Sequence, residues 1–159
     1  MKIITYLLLI SLFISFQSNA IIMRHDKDSK LYQVSSTRYP SIINLEFLMG
    51  TLIDKQWILT AAHGTPLMPG GQKLLINDQQ YTVERIITHP QYDPNGKSLE
   101  HQQNHDIALL KLNKPVDGIQ PASIYSGQSE QSKSIWLAGQ GYIGNGIDGI
   151  TGAAASLYQ

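Results

Sequence analysis

Trp57-Ile58-Leu59-Thr60-Ala61-Ala62-His63 is the stretch from which the fold is read. Its first half, Trp57 to Thr60, is aromatic and β-branched, the composition of a buried strand. Its second half turns abruptly small. Ala61 and Ala62 put almost no bulk beside the imidazole, so another chain segment can approach His63 closely. An imidazole at the end of a rigid strand is well placed to carry a proton, because histidine ordinarily titrates near neutral pH. Taken alone, the stretch is better explained as a core strand that ends in an incidental His.

A second stretch changes that balance. Asp106 follows His63 by 43 residues, within His105-Asp106-Ile107-Ala108-Leu109-Leu110-Lys111-Leu112. Here a carboxylate stands at the mouth of an apolar strand. An unpaired charge there is costly, so it needs a partner. His63 is the obvious candidate, and Asp106 would hold its ring in one tautomer and stabilise its protonated form.

The T-A-A-H of Thr60 to His63 and the D-I-A-L-L of Asp106 to Leu110, in that order, closely resemble the trypsin/chymotrypsin-like serine proteases. The resemblance runs from Ile21 to about Gly144. It implies an all-β fold built of antiparallel barrels, with His63 as general base and acid and Asp106 as its orienting carboxylate. A polypeptide would be the substrate of the complete enzyme, and no cofactor is implied.

The chain has 159 residues, 12 Lys and Arg, 12 Asp and Glu, and no Cys. The balanced charge and the lack of a basic patch argue against a nucleic-acid partner. Residues 1–20 read as a signal peptide. Lys2 is the positive start, Ile3 to Phe16 is nearly all apolar, and Ser18-Asn19-Ala20 offers the small residues of a cleavage site. A membrane anchor is the alternative, but the apolar run falls short of the ~20 residues of a span. The expectation is a secreted or periplasmic protein with no membrane association after cleavage. Export without Cys also excludes disulfides. The resemblance implies a bridge across the His-bearing turn, and Leu48 and Gly64 stand at its two places.

The mature chain would begin at Ile21-Ile22-Met23-Arg24. In the resembling proteases a new N-terminal Ile pairs with an Asp beside the nucleophile, so Ile21 is the candidate activating N-terminus. Met23 and Arg24 stand where that family has two glycines. A plain N-terminus followed by a polar arm, Asp26 to Lys30, is the other reading.

Strands are predicted at Ser41–Leu45, Phe47–Ile53, Trp57–Thr60, Lys73–Ile76, Gln80–Thr88 and Ile107–Leu112. Gly, Pro and Asn-Asp turns separate them. Six such strands suit a closed antiparallel barrel, which leaves no edge exposed. His89-Pro90-Gln91-Tyr92 resembles the family's H-P-x-Y turn, and His89 is read as structural. Residues 21–134 are thus the expected first barrel. Residues 135–159 are the expected incomplete start of a second, with a strand at Ile135 to Gly141. That strand ends Gly139-Gln140-Gly141 where the family has G-W-G. From Gly144 onward a glycine-rich, poorly packed segment is expected.

The family's nucleophile lies in G-D-S-G-G, about ninety residues beyond the Asp. No serine of this sequence has that setting. Ser129 lies in a polar linker and Ser156 follows three alanines. The reading is therefore an exported serine endopeptidase by family, truncated before its nucleophile and inactive alone. The alternative is a non-catalytic exported binding module. A metal site made by Glu100-His101 and His105-Asp106 is a third possibility. It lacks any H-E-x-x-H-like spacing, and a solvated loop explains those residues better.

Overall fold

A computed structural model describes residues 20–46, 48–96, 104–135 and 137–158. Its strands, in chain order, are β1 (Ala20–Met23), β2 (Gln33–Val34), β3 (Ile42–Asn44), β4 (Met49–Asp54), β5 (Trp57–Thr60), β6 (Lys73–Ile76), β7 (Gln79–Thr88), β8 (Ala108–Leu112), β9 (Gly139–Asn145) and β10 (Gly149–Tyr158). The helical segments among the described residues are short 3-10 turns at Ser29–Tyr32, Ser36–Arg38 and Ala62–Leu67. The described residues divide into two compact units, one within residues 34–138 and the other formed by residues 20–33 with 139–158.

In the larger unit the strands run in the order β3-β4-β5-β8-β7-β6, every neighbouring pair antiparallel. The result is a nearly closed six-stranded barrel, as the punctuated strand pattern predicts. Its two edge strands, β3 and β6, both line a cavity of about 310 Å³ along the unpaired seam. The interior follows from the two-residue side-chain period of a strand. Leu52 on β4, Ile58 on β5, and Leu110 and Leu112 on β8 are fully buried, with Tyr81 and Val83 of β7 beside them. Buried aliphatic side chains of this size each contribute about 1.5–3 kcal/mol. Asn77 and Asp78 join β6 to β7, both with positive φ (49° and 59°). That is the two-residue turn whose twist matches a hairpin, and Asn and Asp tolerate it.

The β5–β8 ladder positions the two sequence motifs. These strands run antiparallel, with Trp57 opposite Lys111 and Thr60 opposite Ala108. The residues just after β5 and those just before β8 therefore leave the sheet at the same end of the barrel. The register alone brings the neighbourhoods of His63 and Asp106 together.

In the smaller unit β1 pairs parallel with β9, Ala20 opposite Tyr142 and Met23 opposite Asn145. β9 turns back into β10. The Asn145 side-chain oxygen accepts from the backbone N–H of Ile147 and of Asp148, which closes the turn. The segment from Gly144 onward is thus a hairpin, and not the loop that its glycines suggest. Asn145 and Gly149, the latter at φ 70°, supply turn chemistry between two extended runs.

Candidate active site

Beyond Thr60 the chain leaves β5 and enters the 3-10 segment Ala62–Leu67, whose first residues are Ala62 and His63. Ala62 is completely buried, which anchors the segment against the barrel. The Thr65 hydroxyl donates to the Ala62 carbonyl at 2.8 Å and tightens the turn. Gly64 packs directly against Leu48: a Cβ at that glycine would lie 2.7 Å from the Leu48 Cδ1. The two positions read as the places of a family disulfide are therefore in contact, joined by packing. Between these buried neighbours the His63 side chain projects outward, 67% exposed.

Asp106 reaches His63 with both carboxylate oxygens. Oδ2 lies 2.7 Å from the ring Nδ1, and Oδ1 accepts the His63 backbone N–H at 2.8 Å. One carboxylate thus fixes the backbone and the ring of the same residue. An ionised carboxylate can only accept, so the neutral ring carries its proton on Nδ1 and offers the Nε2 lone pair. The bond to the backbone is not legible in sequence, because it depends on the turn that follows β5.

Asp106 is only 23% exposed. Burial alone would raise its carboxyl above the ordinary value. The hydrogen bonds from the His63 ring and backbone, the charge of His63 and the Ala62 N–H outweigh burial and hold the carboxyl below its ordinary value of 3.8. The Tyr92 phenol is pushed up, first by burial and then by the negative charges of Asp106 and Asp93. Tyr92 therefore shares the electrostatic neighbourhood of Asp106.

The other residues singled out in the sequence fall elsewhere. Ile21 lies on β1, paired in backbone register with Ile143. Ser129 sits in an exposed segment where its carbonyl accepts from the Tyr125 hydroxyl at 3.2 Å. Glu100 and His101 lie outside the described residues. Among the described residues no group of three or more His, Cys, Asp or Glu side chains is arranged to hold a metal ion. No described helix is long and apolar enough to cross a membrane. Residues 1–19, read as most of a signal peptide, lie outside the described residues.

Comparison with known proteins gives a consistent result. The trypsin family model matches residues 27–156. Mouse (Mus musculus) tryptase is 34% identical, over 65% of this chain and 41% of its own length. Pig (Sus scrofa) complement C1s subcomponent is 38% identical, over 42% of this chain and 11% of that protein. Rat (Rattus norvegicus) submandibular glandular kallikrein-9 is 30% identical, over 62% and 43%. Among solved structures, a kallikrein-related peptidase 10 complex with Zn²⁺ aligns over 61% of this chain and 48% of that one, at 25% identity and a TM-score of 0.47. The chain spans less than half the length of each of these relatives.

Proposed function

The chain belongs to the trypsin family of serine proteases, and from that premise we propose that His63 and Asp106 are the proton-relay half of an exported serine endopeptidase. The observation that carries the reading is the two-point grip of Asp106 on His63, at 2.7 and 2.8 Å.

In that role Nε2 of His63 takes the proton of a serine hydroxyl as its oxygen bonds to a peptide carbonyl carbon. The proton then passes to the leaving amine as the C–N bond breaks, and an acyl-serine remains. Water reverses the sequence: its oxygen bonds to the acyl carbon as His63 takes its proton, and that proton returns to the serine oxygen as the acyl–oxygen bond breaks. Asp106 stays ionised throughout, keeps the ring proton on Nδ1 and stabilises the imidazolium that forms. The substrate is a polypeptide. Ile21 is the activating N-terminus, exposed when residues 1–20 are removed on export to the periplasm or the medium.

None of the serines in these 159 residues stands in a G-D-S-G-G setting. The 159-residue protein therefore lacks peptidase turnover by itself. Catalytic groups act as a unit, and loss of the nucleophile alone removes about 2 × 10⁶ in kcat. That same feature favours a second reading, an exported module that binds polypeptide without cleaving it. A serine-directed fluorophosphonate probe separates the readings. The purified 159-residue protein should remain unlabelled, while a version extended by the downstream coding sequence should label and should cleave a broad peptide substrate until His63→Ala abolishes it. Labelling of any serine within residues 21–159 would overturn the assignment. An extended version that binds peptide without cleaving it would favour the binding module.

A further inference from the structure

His105 occupies an unusual place. It immediately precedes Asp106 and has φ 59°, the left-handed region that side chains with a Cβ seldom enter. The Ile107 N–H donates to the His105 carbonyl at 2.7 Å, closing a γ-turn centred on Asp106. The backbone from which the Asp106 carboxylate projects is thus set by the conformation of His105. Asn104 and His105 form the turn that leads into this γ-turn.

A ring from just beyond β7 faces His105. The imidazoles of His89 and His105 are stacked, with centroids 4.6 Å apart and planes 9° from parallel. His89 is a fixed platform. Its backbone N–H donates to the Ile107 carbonyl at 2.9 Å, one step beyond the last β7–β8 pair, Thr88 opposite Ala108. Its carbonyl accepts the Tyr92 N–H at 2.9 Å, and its Nδ1 accepts the Gln91 N–H at 3.2 Å. His89 is therefore tied through its ring to its own turn and through its backbone N–H to the chain around Asp106. Flat contact over an anchored ring restricts the His105 side chain, and through it the backbone just before Asp106.

We infer that His89 and His105 are positioning residues: their stack holds the γ-turn that aims the Asp106 carboxylate at His63. The inference rests on the reading of His63 and Asp106 as a proton-relay pair, and it gives a task to two histidines outside that pair. It also assigns His89 more than the structural role that its turn motif suggests.

The test is nuclear magnetic resonance of ¹⁵N-histidine-labelled 159-residue protein at about pH 8, where ordinary imidazoles are neutral. The readouts are the His63 ring tautomer and the exchange rate of the His63 backbone amide, both of which report on Asp106. Wild-type protein should show the Nδ1–H form and a protected amide. His89→Ala and His105→Ala should mix in the Nε2–H form and speed that amide's exchange about tenfold, while the amides of Ile58 and Leu110 stay as protected as in wild type.

His89→Phe keeps a flat ring and should restore both signals. His105→Gln is a polar change at an exposed position, with no ring and no left-handed preference of its own, so it should behave like His105→Ala and keeps the test open if an alanine variant fails to fold. Unchanged His63 signals in His89→Ala, or wild-type behaviour of His105→Gln, would overturn the inference. Loss in His89→Phe equal to that in His89→Ala would do so too. Absence of the Nδ1–H form in the wild type would instead refute the pairing of His63 with Asp106, which is a separate failure.

Discussion

Replacing Asp106 by Asn is the sharpest probe of the pair, because it removes a charge and leaves the shape. The side-chain amide has one acceptor and one donor end. The His63 backbone N–H, 2.8 Å from Oδ1, can only donate, so it claims the amide oxygen. That turns the NH₂ group toward Nδ1, which must then accept, and the ring proton moves to Nε2. Asp106→Asn should therefore invert the His63 tautomer and cancel the lone pair that a general base needs.

The cost in stability is modest and can be apportioned. A hydrogen bond to an ionised group contributes about 1.5–3 kcal/mol when sheltered. The backbone bond survives in neutral form and so loses only part of that. The ring bond involves a side chain 67% exposed, where an ion pair contributes about 0–1 kcal/mol. Asp106→Asn should lower stability by about 1 kcal/mol, and Asp106→Ala, which loses both bonds, by about 2 kcal/mol.

The pH dependence follows from the depressed carboxyl. A group held lower in the folded state stabilises the fold above its unfolded value, near the ordinary 3.8, and that contribution fades as pH falls through the lower folded value. The gap between wild type and Asp106→Asn should be flat at neutral pH and shrink in acid below about 4. Urea titrations at stepped pH and ¹⁵N shifts of the His63 ring measure the two effects. A Nδ1–H tautomer that persists in Asp106→Asn, or a stability gap that widens in acid, would refute the reasoning.

Other sites give contrasting expectations. Gly50→Ala should cost about 1–3 kcal/mol or more, since the new methyl would lie 2.5 Å from the Ile58 Cγ2 and 3.0 Å from the Leu45 Cδ1, both fully buried residues. Thermal unfolding would register it. Gly64→Ala meets the flexible side chain of Leu48, so it should cost about 1 kcal/mol, and Leu48→Ala in the same chain should relieve the clash, a coupling that a double-mutant cycle measures. Leu110→Ala empties a fully buried position and should lose about 2–5 kcal/mol in urea titration. Glu84→Gln breaks an exposed 3.1 Å pair with Lys111 and should change stability by less than about 0.5 kcal/mol.

What the sequence discloses, and what it hides, reflects the range of the forces involved. The six strands are legible because alternation along a strand is local: burial alternates residue by residue along β8, with Ala108, Leu110 and Leu112 inward. The pairing of His63 with Asp106 is legible because both flank strands whose partnership the family resemblance implies. The strand ends shift by a residue or two, since sheet pairing and not propensity decides where a ladder stops.

The glycines from Gly144 mislead for the opposite reason. Glycine permits a loop but does not require one, and β1, β9 and β10 satisfy one another's backbone groups across more than a hundred residues of chain. The left-handed His105 is hidden as well. His is tolerated at positive φ somewhat more readily than most residues, so its position before Asp106 gives no warning. Only the tertiary placement of His89 opposite it shows why a ring belongs there. The site thus has two layers of legibility. The residues that would move the proton are written as short motifs. The residues that aim them are written in the register between β7 and β8, which sets Thr88 against Ala108 and so brings one imidazole flat against another. A slip of β7 against β8 by one residue would leave both motifs intact in the sequence and would still part the two imidazoles.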